Sequence, residues 1–176
     1  MEYIKAIPTP ARNAPEKVAK ALQWLRGLPA PPGVTIGPMG GDYIRHSAFK
    51  DHTAPLPFIS KDAFERYMNR ALDWIPWANR PKHISFSDEK IVFTQFDMDE
   101  SNLFTDKNER MCVIDFGAVG LLPESFASDT MRSNLFAIEV AKYLDWPPSP
   151  NSYSMAGARA ILWMISDLTL STSTYT

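Results

Sequence analysis

Cysteine is nearly missing. Cys112 stands alone, so no disulfide can form within the chain and no cysteine cluster can hold a metal. Histidine is scarce as well: His46, His52 and His83 have no spacing that suits ligation and read as loop or surface residues. Basic residues are not in excess. Eighteen Lys and Arg stand against twenty Asp and Glu, a net charge of -2, too little positive charge to neutralise a nucleic-acid backbone. No apolar run approaches the length of a membrane span. The opening residues MEYIKAIPTP hold no apolar core of the kind a signal peptide needs. The expectation is a reducing, cytoplasmic setting with neither a nucleic-acid nor a membrane partner.

Proline, by contrast, is plentiful. There are fifteen, and they concentrate in 29–38, 55–57 and 147–150, where they mark loops. The 45% hydrophobic and 22% charged content is an ordinary globular balance, and 176 residues suffice for a single domain spanning 1–176. Helical spacing of Val18, Ala21, Leu22, Leu25 and Leu28 predicts a helix from Pro15 to Leu28, with Asn13 as its cap. A second helix is predicted from Lys61 to about Trp74, capped by Ser60. Trp74 and Trp77 form an aromatic turn after it; with Tyr67 they suit a substrate pocket or, as is commoner at a helix end, core. From residue 90 short strands are expected at 91–93, 103–104 and 111–114, the last two forming a hairpin about a turn at 106–109. Cys112, in the run MCVI, reads as a small buried residue. Two more helices are predicted at 128–143 and 155–168. Residues 1–4 read as an edge strand or connector, stopped by Pro8 and Pro10. The sum is an α+β chain, mainly α-helical, with a small β-hairpin at its centre.

The stretch from Phe93 to Gly117, FTQFDMDESNLFTDKNERMCVIDFG, concentrates the chemistry. Asp97 and Asn102 lie in a loop after one apolar run, and Asp115 ends another. Gln95 stands two residues before Asp97. Two acids and an amide delivered from strand ends suit holding a divalent cation and deprotonating a hydroxyl, the equipment of phosphoryl transfer. The plainer reading is that these side chains cap turns by bonding to loop amides.

Asp97-x4-Asn102 followed by Ile114-Asp115-Phe116-Gly117 resembles the catalytic and metal-binding loops of the protein-kinase-like superfamily. The closer resemblance is to its aminoglycoside phosphotransferase and choline-kinase-like branch. It implies the C-terminal lobe of that fold and ATP-dependent phosphoryl transfer to the hydroxyl of a small molecule. Asp97 would then be the catalytic base, Asn102 and Asp115 would bind Mg²⁺, and Gln95 would stand where the family commonly has histidine. Residues 1–5 resemble the hinge whose backbone, at Glu2 and Ile4, touches the adenine of ATP. Gly120-x2-Pro123-Glu124 resembles the segment that follows the metal-binding acid.

The resemblance also carries departures. With residues 1–5 as hinge, the N-terminal lobe, its glycine-rich loop and its phosphate-binding lysine are expected to be missing. Asp99 and Glu100 add negative charge where phosphate charge must be stabilised. Asp42 and Arg45 sit beside a glycine-rich segment that the family places near the acceptor, although each alone reads as a solvated loop residue. Two functions stay open. One is a phosphotransferase; the other is a non-catalytic, pseudokinase-like binding protein, with a partner or a second copy over the surface the missing lobe would cover.

Overall fold

The computed structural model describes residues 6–33, 36–38 and 43–165. The hinge expectation at Glu2 and Ile4 falls outside them, as do residues 39–42 of the glycine-rich segment and the stretch 166–176. The order is β1 (Ala6–Pro10), α1 (Pro15–Gly27), β2 (Gly37–Pro38), α2 (Lys61–Asp73), β3 (Ile91–Gln95), β4 (Leu103–Asp106), β5 (Met111–Val113), β6 (Val119–Pro123), α3 (Glu124–Thr130), α4 (Leu135–Ala141) and α5 (Ser152–Met164). Among the described residues, five helices and two three-stranded antiparallel sheets make an α+β fold. No helix among them is long and apolar enough to cross a membrane.

The expected hairpin is β4–β5, with Leu103 opposite Val113 and Thr105 opposite Met111. Strand content is larger than predicted. β1 joins the hairpin as an edge strand, and its register slips between Ile7 and Pro10. An edge tolerates prolines because one side of the strand needs no N–H donor. The second sheet was not predicted. In it β6 lies between β2 and β3, and every β6 residue is buried, as a central strand requires. Gly120 is needed there: a Cβ on it would lie 2.9 Å from the carbonyl oxygen of Gly37 on β2. In β5, Cys112 is half-buried rather than buried.

The helices follow their apolar spacing. α1 buries Val18, Ala19, Leu22 and Leu25. Its cap position is Ala14 rather than Asn13, with no side-chain cap, and Pro15 fits the first turn because it has no N–H to satisfy. α2 is capped as expected, Ser60 Oγ accepting from the Ala63 amide at 3.1 Å. The single helix predicted over 128–143 is two. α3 starts directly after Pro123, and α4 restarts when the Asn134 side chain accepts from the Ala137 amide at 2.8 Å. The break turns the chain, so Leu135 is 82% exposed while Phe136, Ala137 and Val140 go inward. α5 ends at Met164; the predicted continuation to residue 168 runs beyond the described residues.

Two cores result. The larger centres on Phe64 of α2, whose ring stacks on Phe126 of α3 at 4.9 Å and meets Phe58 and Phe86 at 4.8 and 5.7 Å. The smaller lies between α1 and α4 and includes Met98 and Leu103. Tyr67 is core, but Trp74 and Trp77 are not, at 57% and 85% exposed. They sit where α2 ends, on the surface. Two asparagines tie the irregular 84–86 segment down. Asn69 both donates to and accepts from Ile84. Asn151, at the start of α5, bonds both backbone groups of Ser85 and also Glu89 Oε1.

Candidate functional site

The two sequence-predicted loops leave different sheets and meet at the junction between them. Asp97 lies two residues beyond β3 and Asp115 two residues beyond β5. Two backbone hydrogen bonds tie the loops together. The Phe96 amide donates to the Ala118 carbonyl at 3.0 Å, and the Ile114 amide donates to the Asn102 carbonyl at 2.9 Å. Each bond joins a residue flanking one acid to the loop that carries the other side chain.

Within the first loop, Asn102 Nδ2 donates to Asp97 Oδ2 at 3.0 Å, and the Asp99 amide donates to Asp97 Oδ1 at 3.1 Å. The Asp97 carboxylate is therefore fixed in orientation, although the residue is exposed. With its amide nitrogen engaged, Asn102 keeps Oδ1 as its acceptor atom. Asn102 itself is 8% exposed and ends the short 3₁₀ turn Glu100–Asn102. Beneath it, Gln95 is 3% exposed and donates from Nε2 to the Asp97 carbonyl at 3.0 Å. Gln95 thus holds the backbone of Asp97 and does not reach its carboxylate. Asp99 turns inward to its own loop, accepting from the Ser101 amide at 2.8 Å. The Ser101 hydroxyl and amide hold its carboxyl below the usual carboxylate range.

In the second loop Asp115 adopts a left-handed backbone, φ 57° and ψ 59°, which Asp tolerates better than most side chains. It opens the 3₁₀ turn Phe116–Ala118 and is exposed. Gly117 follows with no side chain to crowd it: a Cβ there would sit 3.3 Å from Asp115 Oδ1.

The chain matches no family model, no curated protein and no solved structure. Asn102 Oδ1 and the Asp115 carboxylate are oxygen donors of the kind Mg²⁺ prefers, and that ion commonly takes only one or two protein carboxylates. Among the described residues no three His, Cys, Asp or Glu side chains gather into a ready-made metal cage.

Arg45 is exposed, as expected of a solvated residue, and it also makes contacts beside this site. Its guanidinium lies over the Phe96 ring, 5.8 Å from the centroid, and Nη1 comes within 3.7 Å of where a Gly117 Cβ would be. The segment carrying it is pinned on both sides. Ile44 is 1% and His46 0% exposed, and Arg45 bridges to Thr53 in an antiparallel contact. The His46 amide donates to the His52 carbonyl at 3.0 Å, and Ala54 to Ile44 at 2.7 Å. His46 is a structural residue, not a surface one. Nδ1 accepts from the Ala48 amide at 3.0 Å, so the neutral ring carries its proton on Nε2 and donates toward Thr130 Oγ1 at 3.0 Å and the Phe126 carbonyl at 3.2 Å. Burial pushes its pKa down to about 4. The signal in the sequence was the alternation Ile44, Arg45, His46: in, out, in.

Proposed function

We propose that this chain is a kinase-like phosphotransfer module of the aminoglycoside phosphotransferase type, acting on the hydroxyl of a small molecule with ATP and Mg²⁺. The observation that carries the reading is the Asn102–Asp97 bond, made where two backbone bonds hold the loop of Asp115 alongside. Asp97 receives the proton as the acceptor oxygen attacks. Its carboxylate is oriented by Asn102 and by the Asp99 amide, and its backbone by Gln95. Asn102 and Asp115 would hold Mg²⁺, which would supply charge neutralisation to the phosphates. Such catalysis is positioning and electrostatics rather than covalent chemistry by the protein.

The test is a thermal shift of the chain with Mg²⁺–ATP against ATP alone, in the unaltered protein and in Asp115→Asn. A Mg²⁺-dependent rise in Tm that Asp115→Asn removes supports the reading. ADP release on adding hydroxyl acceptors, lost in Asp97→Asn, extends it to catalysis. No shift in either protein sinks it.

The same bonds also fit a second reading, a binding protein without chemistry. Both Asp97 carboxylate oxygens are already occupied within the loop, by Asp99 and Asn102. That is what a loop brace needs, and a Mg²⁺–ATP shift without ADP release is its signature.

A further inference from the structure

We propose that Arg45 is the anion-binding residue of this site: its guanidinium takes the phosphoryl oxygens of a phosphate-bearing ligand held against Asp115. The ligand class rests on the phosphotransfer reading; the geometry stands without it.

Position comes first. Arg45 Nη1 and Asp115 Oδ1 flank one point beside Gly117, at 3.7 and 3.3 Å. They do not pair with each other: among the described residues no ion pair of Arg45 is found. A cation and a carboxylate that approach one point without pairing are suited to a phosphate with its divalent metal. The phosphate oxygens face the guanidinium, and the metal faces the carboxylate.

Charge is the second point. The loops bear Asp97, Asp99, Glu100 and Asp115, all adverse to a polyphosphate. Arg45 brings positive charge to that junction from a different part of the chain. Arginine suits the task because it stays protonated and meets phosphate with two parallel N–H donors.

The third point is rigidity. The flanking residues Ile44 and His46 are buried, and the imidazole of His46 is bonded to α3. The Phe96 ring supports the guanidinium from the residue next to Asp97. An arginine whose backbone is already fixed loses less freedom when it binds.

The experiment measures binding of Mg²⁺–ATP and of Mg²⁺–pyrophosphate by calorimetry in the unaltered chain, Arg45→Gln and Arg45→Lys. Arg45 is exposed, so both variants should keep the parent Tm. The expected result is a loss of about tenfold or more for both ligands in Arg45→Gln, with partial recovery in Arg45→Lys, as expected for a charged hydrogen bond of this kind. Unchanged affinity in Arg45→Gln overturns the assignment while leaving the phosphotransfer reading intact. Binding of Mg²⁺–pyrophosphate but not Mg²⁺–ATP, still lost in Arg45→Gln, overturns the nucleotide reading and supports the assignment. Binding of neither ligand by the unaltered chain removes both.

Discussion

Asn102 and Asp97 are bonded side chain to side chain at 3.0 Å, the amide donating to Oδ2, across a loop that the Asp99 amide also closes. The bond makes the two residues one unit. A change in either is felt as a change in the orientation of the other.

Asn102→Asp turns the donor into a second carboxylate at a site only 8% exposed. Like charges so close raise a carboxyl pKa in the folded state, and stability should fall by roughly 1–3 kcal/mol at pH 7. The loss should shrink as pH falls through that raised pKa, because one proton removes the repulsion. Asn102→Ala should lose less, about 0.5–1.5 kcal/mol, with no such pH dependence. Urea unfolding of both variants from pH 7 to pH 4 separates the two cases.

His46 predicts an acid-side loss of stability. Its folded pKa, about 4, lies below the unfolded value of 6.5, so between them the unfolded chain binds the extra proton. The stabilisation is complete above pH 6.5 and is withdrawn as pH falls toward 4, on the order of 3 kcal/mol in all. Nuclear magnetic resonance of the imidazole protons should show no titration between pH 7 and pH 5. Ordinary titration near 6.5 would contradict the buried, neutral assignment.

Asp106 acts at lower pH and with opposite chemistry. Its carboxylate caps the β4–β5 turn, accepting from the amides of Arg110 and Asn108 at 2.9 and 2.8 Å and from the Arg110 guanidinium. The Arg110 backbone bond is the main cause that draws its pKa down to about 2. With the folded pKa depressed, its contribution is full above the unfolded carboxylate value near 3.9 and is lost as pH falls toward 2. Asp106→Asn should flatten that last part of the acid limb in a Tm-versus-pH series. An unchanged limb would remove Asp106 from the account.

Gly120→Ala should damage the second sheet. The new methyl would meet a backbone oxygen at 2.9 Å, and backbone cannot rotate away as a side chain can. A cost of about 1–3 kcal/mol is expected, with the amide exchange of β6 residues accelerated more than that of α2. Gly27→Ala is the control, since nothing lies within 4 Å of that position.

Asn151→Ala removes a side chain that is 5% exposed and bonds Ser85 twice and Glu89 once. Leaving those partners unpaired should cost roughly 1–3 kcal/mol in chemical unfolding. A loss well under that range would mean water replaces the amide readily.

The elements that could be read from the sequence are those whose pattern is local. α1 and α2 repeat apolar residues every three or four positions, and the β4–β5 hairpin has a polar turn between apolar runs. What escaped depends on distant partners. β6 follows directly on the Asp115 turn and contains Gly120, so it reads as loop until β2 and β3 close on it. The break between α3 and α4 hides in Asn134, which looks like any polar residue within a helical run until its cap bond is seen. The site divides in the same way. Asp97, Asn102 and Asp115 stand out by spacing, whereas Arg45 reaches Phe96 from 51 residues away and Gly117 from 72. Periodicity carries no information about contacts of that span.

The left-handed backbone of Asp115 narrows which residues could replace it over evolution. Glycine and asparagine enter that conformation at little cost, whereas a β-branched or bulky residue does not. The residue able to take over the shape of the turn without strain is thus also the one that removes the charge. A single Asp115→Asn change would therefore keep the turn and remove its carboxylate.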